Sequence, residues 1–234
     1  MNEALSCREG DNMKPKLIVM LTHNDQTVPN AIEAFEECRD LPVQFWGFKN
    51  VGLPVNQMKA LVDNIRTAGK TACLEVVTYT EKECMEAARL AVECRFDYLM
   101  GTLFYPAVFD FLKGKPTKYS PFCGKVSGHP SILEGTIEDI IAEGQKLEKI
   151  GVDAFDLLAY RYVGDPEALA TAFIKAIKIP VVLAGSVDSF ARIDRVETMG
   201  AWGFTIGGAF FSKKFVKNGS FQEQVAVVAK HLEE

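Results

Sequence analysis

Four charged residues sit inside runs that are otherwise apolar. Lys49 closes VQFWGFKN (43–50), Glu75 interrupts TACLEVVT (71–78), Lys125 lies in PFCGKVSG (121–128), and Asp156 lies in DAFDLLAY (153–160). A charge in such a run must be paired, change its pKa, or be used. A lysine and a carboxylate brought together form an acid–base pair that can move a proton next to a carbonyl. A buried lysine by itself can form a Schiff base. The plain alternative is a structural lysine–glutamate bridge that fills the interior. FDLLAY alone leaves open whether Asp156 points inward.

A second set of residues follows the ends of these runs. His23 precedes Asp25 by two positions, as an acid–base unit or as an exposed histidine beside a helix cap. His129 stands between Gly128 and Pro130 and is a candidate substrate contact, and Arg161 follows Tyr160, where it could pair with a second anionic group or simply begin a solvated loop. Two glycine turns complete the set. Gly185-Ser186 ends IPVVLAGS (179–186), and Gly207-Gly208 ends WGFTIGG (202–208). Glycine lets backbone N–H groups approach an oxyanion closely, although each pair could equally be only a tight turn. Ser186, Ser212, Lys213 and Lys214 could add hydroxyls and charge, and AFFSKK after Gly208 is expected to form a short helix.

What must position these residues is a regular alternation. Strand-like runs at 16–22, 43–50, 71–78, 96–102, 121–128, 153–160, 179–186 and 202–208 each precede a helical pattern: 28–41, 54–69, 81–94, 106–114, 135–151, 165–178, 188–200 and 220–233. The strand runs are short and apolar, as strands covered on both faces must be. Asp188 is the expected N-cap of the seventh helix. Eight such units predict an α/β fold, a single-domain (β/α)8 TIM barrel over 16–234 behind a tail at 1–15. In a barrel, strand C-termini share one face, and the loops after strands seven and eight are neighbours there. Phosphate is commonly bound at that place. An open doubly wound sheet is the rival, but G-x-G-x-x-G is absent after the first strand.

Bulk properties narrow the function. The chain has 234 residues, 48% of them apolar, and a net charge of −5 without a basic stripe, which speaks against nucleic acid. No apolar run reaches the about 18 residues of a membrane span, and the first residues lack the apolar stretch of a signal peptide. The 6 cysteines form no C-x-x-C, and there are only 3 histidines. The expectation is a reduced, cytoplasmic protein with no zinc site and no cofactor, whose partner is a phosphorylated small molecule. The aromatics of 45–48 and 104–111 are assigned to packing, and Phe210-Phe211 to a subunit contact in a homo-oligomer.

VVLAGSVDSFARIDRVETMGAWGFTIGGAFF (181–211) resembles the closing quarter of the ribulose-phosphate-binding barrel superfamily. That group includes phosphoribosyl isomerases, indole-glycerol-phosphate synthase, thiamine-phosphate synthase and N-acetylmannosamine-6-phosphate epimerase. The resemblance implies that the backbone of Gly185, Ser186, Gly207 and Gly208 holds a phosphate. The implied reaction is isomerisation or epimerisation of a phosphosugar in carbohydrate metabolism. Lysine Schiff-base cleavage and non-catalytic sensing are the alternatives. The chain departs from the epimerases in having Ser186-Val187-Asp188 after strand seven and Phe211-Ser212-Lys213 after strand eight.

Overall fold

A computed structural model describes residues 14–233. The expected tail at 1–15 lies almost wholly outside the described residues. Eight parallel strands form the centre: β1 (Lys16–Met20), β2 (Phe45–Lys49), β3 (Thr71–Thr78), β4 (Tyr98–Thr102), β5 (Lys118–Ser120), β6 (Phe155–Leu157), β7 (Val181–Leu183) and β8 (Gly203–Ile206). Their order in the sheet is β6-β7-β8-β1-β2-β3-β4-β5. Asp153 N donates to Tyr119 O (2.9 Å) and Asp156 N to Pro121 O (3.1 Å), and these bonds join the two end strands. The sheet is thereby a nearly closed barrel of one domain, as the alternation predicts.

The helices on the outside are α1 (Ala31–Cys38), α2 (Val55–Thr67), α3 (Glu81–Glu93), α4 (Pro106–Leu112), α5 (Ile137–Ile150), α6 (Pro166–Ala176), α7 (Phe190–Thr198), α8 (Gly208–Phe211) and α9 (Phe221–His231). Each longer helix turns an apolar stripe onto the sheet. α2, for example, buries Met58, Leu61, Val62 and Ile65. Thr80, Thr136 and Asp165 cap α3, α5 and α6 through their side-chain oxygens. Ser220 and Glu223 form a reciprocal capping box on α9. α7 differs from expectation. Its N-cap position is Ser189, and Asp188 instead pairs with Arg192 one turn on, at 3.1 Å.

The fifth unit also differs. The barrel strand is Lys118–Ser120, upstream of the expected 121–128. Gly124 takes φ +84°, and a Cβ there would meet Leu133 and Ile140. The chain turns away at that point, and Lys125–Ser127 pairs antiparallel with Ile132–Glu134. Lys125 is therefore on an outer hairpin and not in the barrel. Its side chain is 76% exposed and its Nζ lies 3.7 Å from Glu134.

Side chains alternate along each strand, so every second residue enters the barrel. Ile18, Met20, Cys73, Met100 and Val182 form one buried interior cluster, with Phe45, Tyr98 and Trp202 packed against it. The other faces of the same strands carry Leu17, Val19, Trp46, Phe48, Leu74 and Phe204 into the layer beneath the helices. Phe210 and Phe211 belong to that outer packing: Phe210 lies against Phe215, and Phe211 stacks on Phe221 with centroids 4.6 Å apart. Both rings thus have packing partners within the chain. Among the described residues, no helix is long and apolar enough to cross a membrane.

Candidate functional site

At the C-terminal end of the barrel lies a cavity of about 350 Å3. Its wall brings together Lys49, Glu75, His23, Arg161, Gly185, Ser186, Gly207 and Gly208, residues drawn from six different strand ends. Parity explains the two charges. Lys49 follows Phe45 and Gly47 on the inward face of β2, and Glu75 follows Cys73 on that of β3. Lys49 and Glu75 are register partners on adjacent strands. The β3–β4 register shifts between Glu75 and Thr78, so an irregularity begins just past Glu75. Such bulges re-aim side chains at sheet ends.

The hairpin after β1 supplies a residue that sequence reasoning had read differently. Thr22–His23 pairs with Gln26–Thr27 across Asn24-Asp25, both at positive φ (49° and 59°). That is the two-residue turn favoured by the twist of a hairpin, and Asn and Asp tolerate it best after glycine. Thr27 Oγ1 donates to Lys49 O (2.8 Å) and accepts from Lys49 N (2.9 Å), which fastens the hairpin to β2. The result is an ion pair from Lys49 Nζ to Asp25 Oδ1 at 3.0 Å. The Lys49 hydrogen bond holds the Asp25 carboxyl below its usual range, with smaller help from the charges of Arg161 and His129. Asp25 thus serves Lys49 and is neither the partner of His23 nor a helix cap. The signal for this was the Asn-Asp turn between two short polar pairs.

Asp156 occupies the inward position on β6. It is 1% exposed, and both carboxylate oxygens are buried without a hydrogen-bond partner. Burial pushes its pKa well above the usual range, the negative charge of Glu75 adds to this, and Lys49 opposes it. The carboxyl is consequently protonated over a much wider pH range than an exposed aspartate. Thr205, which sequence reasoning passed over, lines the cavity from β8; the only clue was a polar residue with the same parity as Gly203 and Gly207.

The four loop residues have unlike roles. Gly185 takes φ +82°, and a Cβ there would stand 2.8 Å from Arg161 Nε. The Arg161 side chain therefore lies directly on the glycine backbone. A Cβ on Gly207 would stand 2.5 Å from Thr22 Oγ1 and 3.0 Å from Met20 Cβ, so this glycine is needed for packing against β1. A Cβ on Gly208 would meet only His23 Nδ1, at 3.8 Å. Gly208 begins α8, and the first N–H groups of a helix have no partner within it. Ser212 and Lys214 line the same side. Arg192 bonds to Ser186 O and Asp188, and so braces the strand-seven loop from outside.

Two expected site residues are elsewhere. Lys125 is on the outer hairpin, as described. His129 is on the same hairpin connection, exposed, with its ring 5.5 Å from that of Tyr79; it does not line the cavity. Tyr79 OH donates to Gly128 O at 2.7 Å and fixes this connection to the end of β3. Among the described residues, no group of three or more His, Cys, Asp or Glu could hold a metal ion.

No family model and no curated protein sequence matches the chain. Solved structures do match in shape. Orotidine 5'-monophosphate decarboxylase from Methanocaldococcus jannaschii, in complex with the inhibitor BMP, superposes with a TM-score of 0.71 at 14% identity, over 94% of this chain and 100% of that one. N-acetylmannosamine-6-phosphate 2-epimerase from Clostridium perfringens gives 0.60 at 14% identity, over 86% and 91%. The glycerol uptake operon antiterminator regulatory protein from Listeria monocytogenes gives 0.56 at 16% identity, over 82% and 91%. The likeness to these solved structures runs along nearly the whole chain and is one of barrel fold.

Proposed function

We propose that this barrel binds a small phosphorylated metabolite and isomerises or epimerises it by acid–base proton transfer. The observation that carries this reading is a single cavity joining the Gly185-Ser186 and Gly207-Gly208 loops to the Lys49–Glu75 register pair. Backbone N–H groups at the glycines, with Arg161 behind them, suit a phosphate. The decarboxylase and the epimerase of similar fold are both named for phosphorylated molecules, which supports this end of the site.

At the other end, Glu75 takes a proton from the carbon beside a carbonyl. The C–H electron pair moves into an enediolate, and the Lys49 ammonium stabilises the charge on its oxygen. In isomerisation Glu75 returns the proton to the former carbonyl carbon, while the hydroxyl proton of the first carbon passes to the former carbonyl oxygen. In epimerisation water in the open cavity reprotonates the first carbon on its opposite face, and Glu75 gives up its proton to solvent. Burial and the charge of Glu75 favour the protonated form of Asp156, which keeps a second negative charge away from the enediolate. Asp25 holds Lys49 in place through the 3.0 Å ion pair.

The Schiff-base reading has less support. A Schiff-base lysine attacks a carbonyl with its Nζ, and the Lys49 Nζ is instead engaged by Asp25 Oδ1 at 3.0 Å. Lys125 is exposed on the outer hairpin and does not line the cavity. Borohydride reduction with substrate is accordingly expected to leave no adduct. The test of the main reading is a thermal-shift series of phosphorylated and matching unphosphorylated metabolites on wild type and Gly208→Asp. Phosphorylated compounds should stabilise wild type, and the variant, with a carboxylate added where there is room for it, should lose that response. Equal stabilisation of both proteins would remove the glycine loops as the phosphate site. Stabilisation without turnover of any compound would favour a metabolite sensor instead.

A further inference from the structure

The distribution of charge inside the cavity bears on what the ligand can be. Two cations stand at the glycine end. Arg161 lies against the backbone of Gly185, and Lys214 follows Ser212 on the loop after β8. Among the described residues, neither forms an ion pair. Arg192 is nearby, but Asp188 already matches its charge at 3.1 Å.

The deep end is the reverse. Among the described residues its cation is Lys49, whose side chain is 11% exposed and is bound at 3.0 Å to Asp25, itself exposed at the mouth. Glu75 stands beside Lys49 in register, and Asp156 lies below, buried, with both oxygens unpartnered. A carboxylate or a second phosphate placed there would face Glu75 and find the Lys49 charge already matched by Asp25. Hydroxyl and carbonyl groups suit it: Glu75 can accept from hydroxyls, and Lys49 can donate to a carbonyl oxygen.

We infer that the ligand carries a single anionic group, its phosphate, and presents a neutral polyol or carbonyl body to the barrel floor, so that phosphorylated sugar acids and bisphosphates are rejected. This rests on the phosphate reading above and deepens it. Arg161, which from its sequence position could have met a second anion, belongs to the same anion as the glycine loops. Glu75 is then a determinant of specificity as well as the base, because like charges placed face to face suppress wrong ligands.

Calorimetric titration of wild type with a matched series tests this. The probes are alditol monophosphates of three to six carbons, aldonates phosphorylated at the same position, alditol bisphosphates, and the free alditols. The best alditol monophosphate should bind about tenfold or more tightly than its aldonate counterpart, and its bisphosphate should bind no better. Glu75→Gln should narrow the gap between alditol and aldonate. Arg161→Ala should weaken all phosphorylated probes by a common factor and keep their ratio. Aldonates or bisphosphates that bind as well as the monophosphates would overturn the inference and leave the phosphate reading standing. If free alditols bind as well as their phosphates, or no phosphorylated probe binds, both fail.

Discussion

The two ends of the barrel interior are built by the same strands and differ completely. Towards the strand N-termini, Ile18, Phe45, Cys73, Tyr98, Met100, Val182 and Trp202 leave about 10 Å3 of space. Towards the C-termini, Lys49, Glu75 and Thr205 border about 350 Å3. On β2 the step is from Phe45 to Lys49, and on β3 from Cys73 to Glu75, at inward positions of one strand. Strand parity thus decides which residues enter the barrel, while depth along the strand decides whether they pack or react. This division lets the packed end hold the geometry and leaves the open end free to carry unpaired charge.

The comparison can be broken most sharply at Glu75. Glu75→Gln keeps the shape and removes the base, so turnover should fall by about two to four orders of magnitude while the melting temperature hardly moves. A steady-state assay beside a melting curve checks this; a large loss of stability with activity retained would make Glu75 a structural residue. At the packed end the effects should be opposite. Met100→Ala leaves a hole that neighbours cannot fill, and should lower stability by about 2–5 kcal/mol with ligand affinity unchanged, as read by urea unfolding and titration.

Asp156 lies between the two ends, and pH separates its contributions. Its folded pKa is raised above the unfolded value of about 3.9. Above about pH 4 the folded chain therefore holds a proton that the unfolded chain releases. Its contribution to stability falls as pH rises from there through the folded pKa. Asp156→Asn should remove this slope, so that the variant's melting temperature gains on wild type between pH 4.5 and pH 8. A constant difference across that range would mean that Asp156 is charged in the folded protein. The smallest effect belongs to Lys125. Lys125→Ala touches only an exposed pair with Glu134, and should change stability by no more than about 0.5 kcal/mol and turnover not at all.

These residues also show how far the sequence could be read. The barrel was visible because buried parallel strands are unbroken apolar runs, and Lys49 and Glu75 stood out for interrupting them. β5 was hidden for the same reason. Lys118-Tyr119-Ser120 reads as polar, while the following Phe122, Cys123 and Val126 read as strand but are buried away from the barrel axis, against the helix layer. That single misplacement carried Lys125 into the barrel. Gly207 and Gly208 are adjacent and alike in sequence, yet one is filled by β1 on its inner side and the other faces open space. Only the register of β1 against β8, with Val19 opposite Ile206, separates them. The Asp25–Lys49 pair depends on a hairpin folding back over a neighbouring strand end, a contact across 24 residues that helical and strand periodicity do not encode.

The central claim is that the open end moves a proton on a phosphorylated substrate. Incubation of wild type in D2O with the phosphosugar that stabilises it most, followed by proton NMR, tests this directly. The account predicts that deuterium enters at the carbon beside the carbonyl in wild type and not in Glu75→Gln, although both bind the compound. A bound phosphosugar that gains no deuterium from wild type, or gains it equally from the variant, would contradict the account.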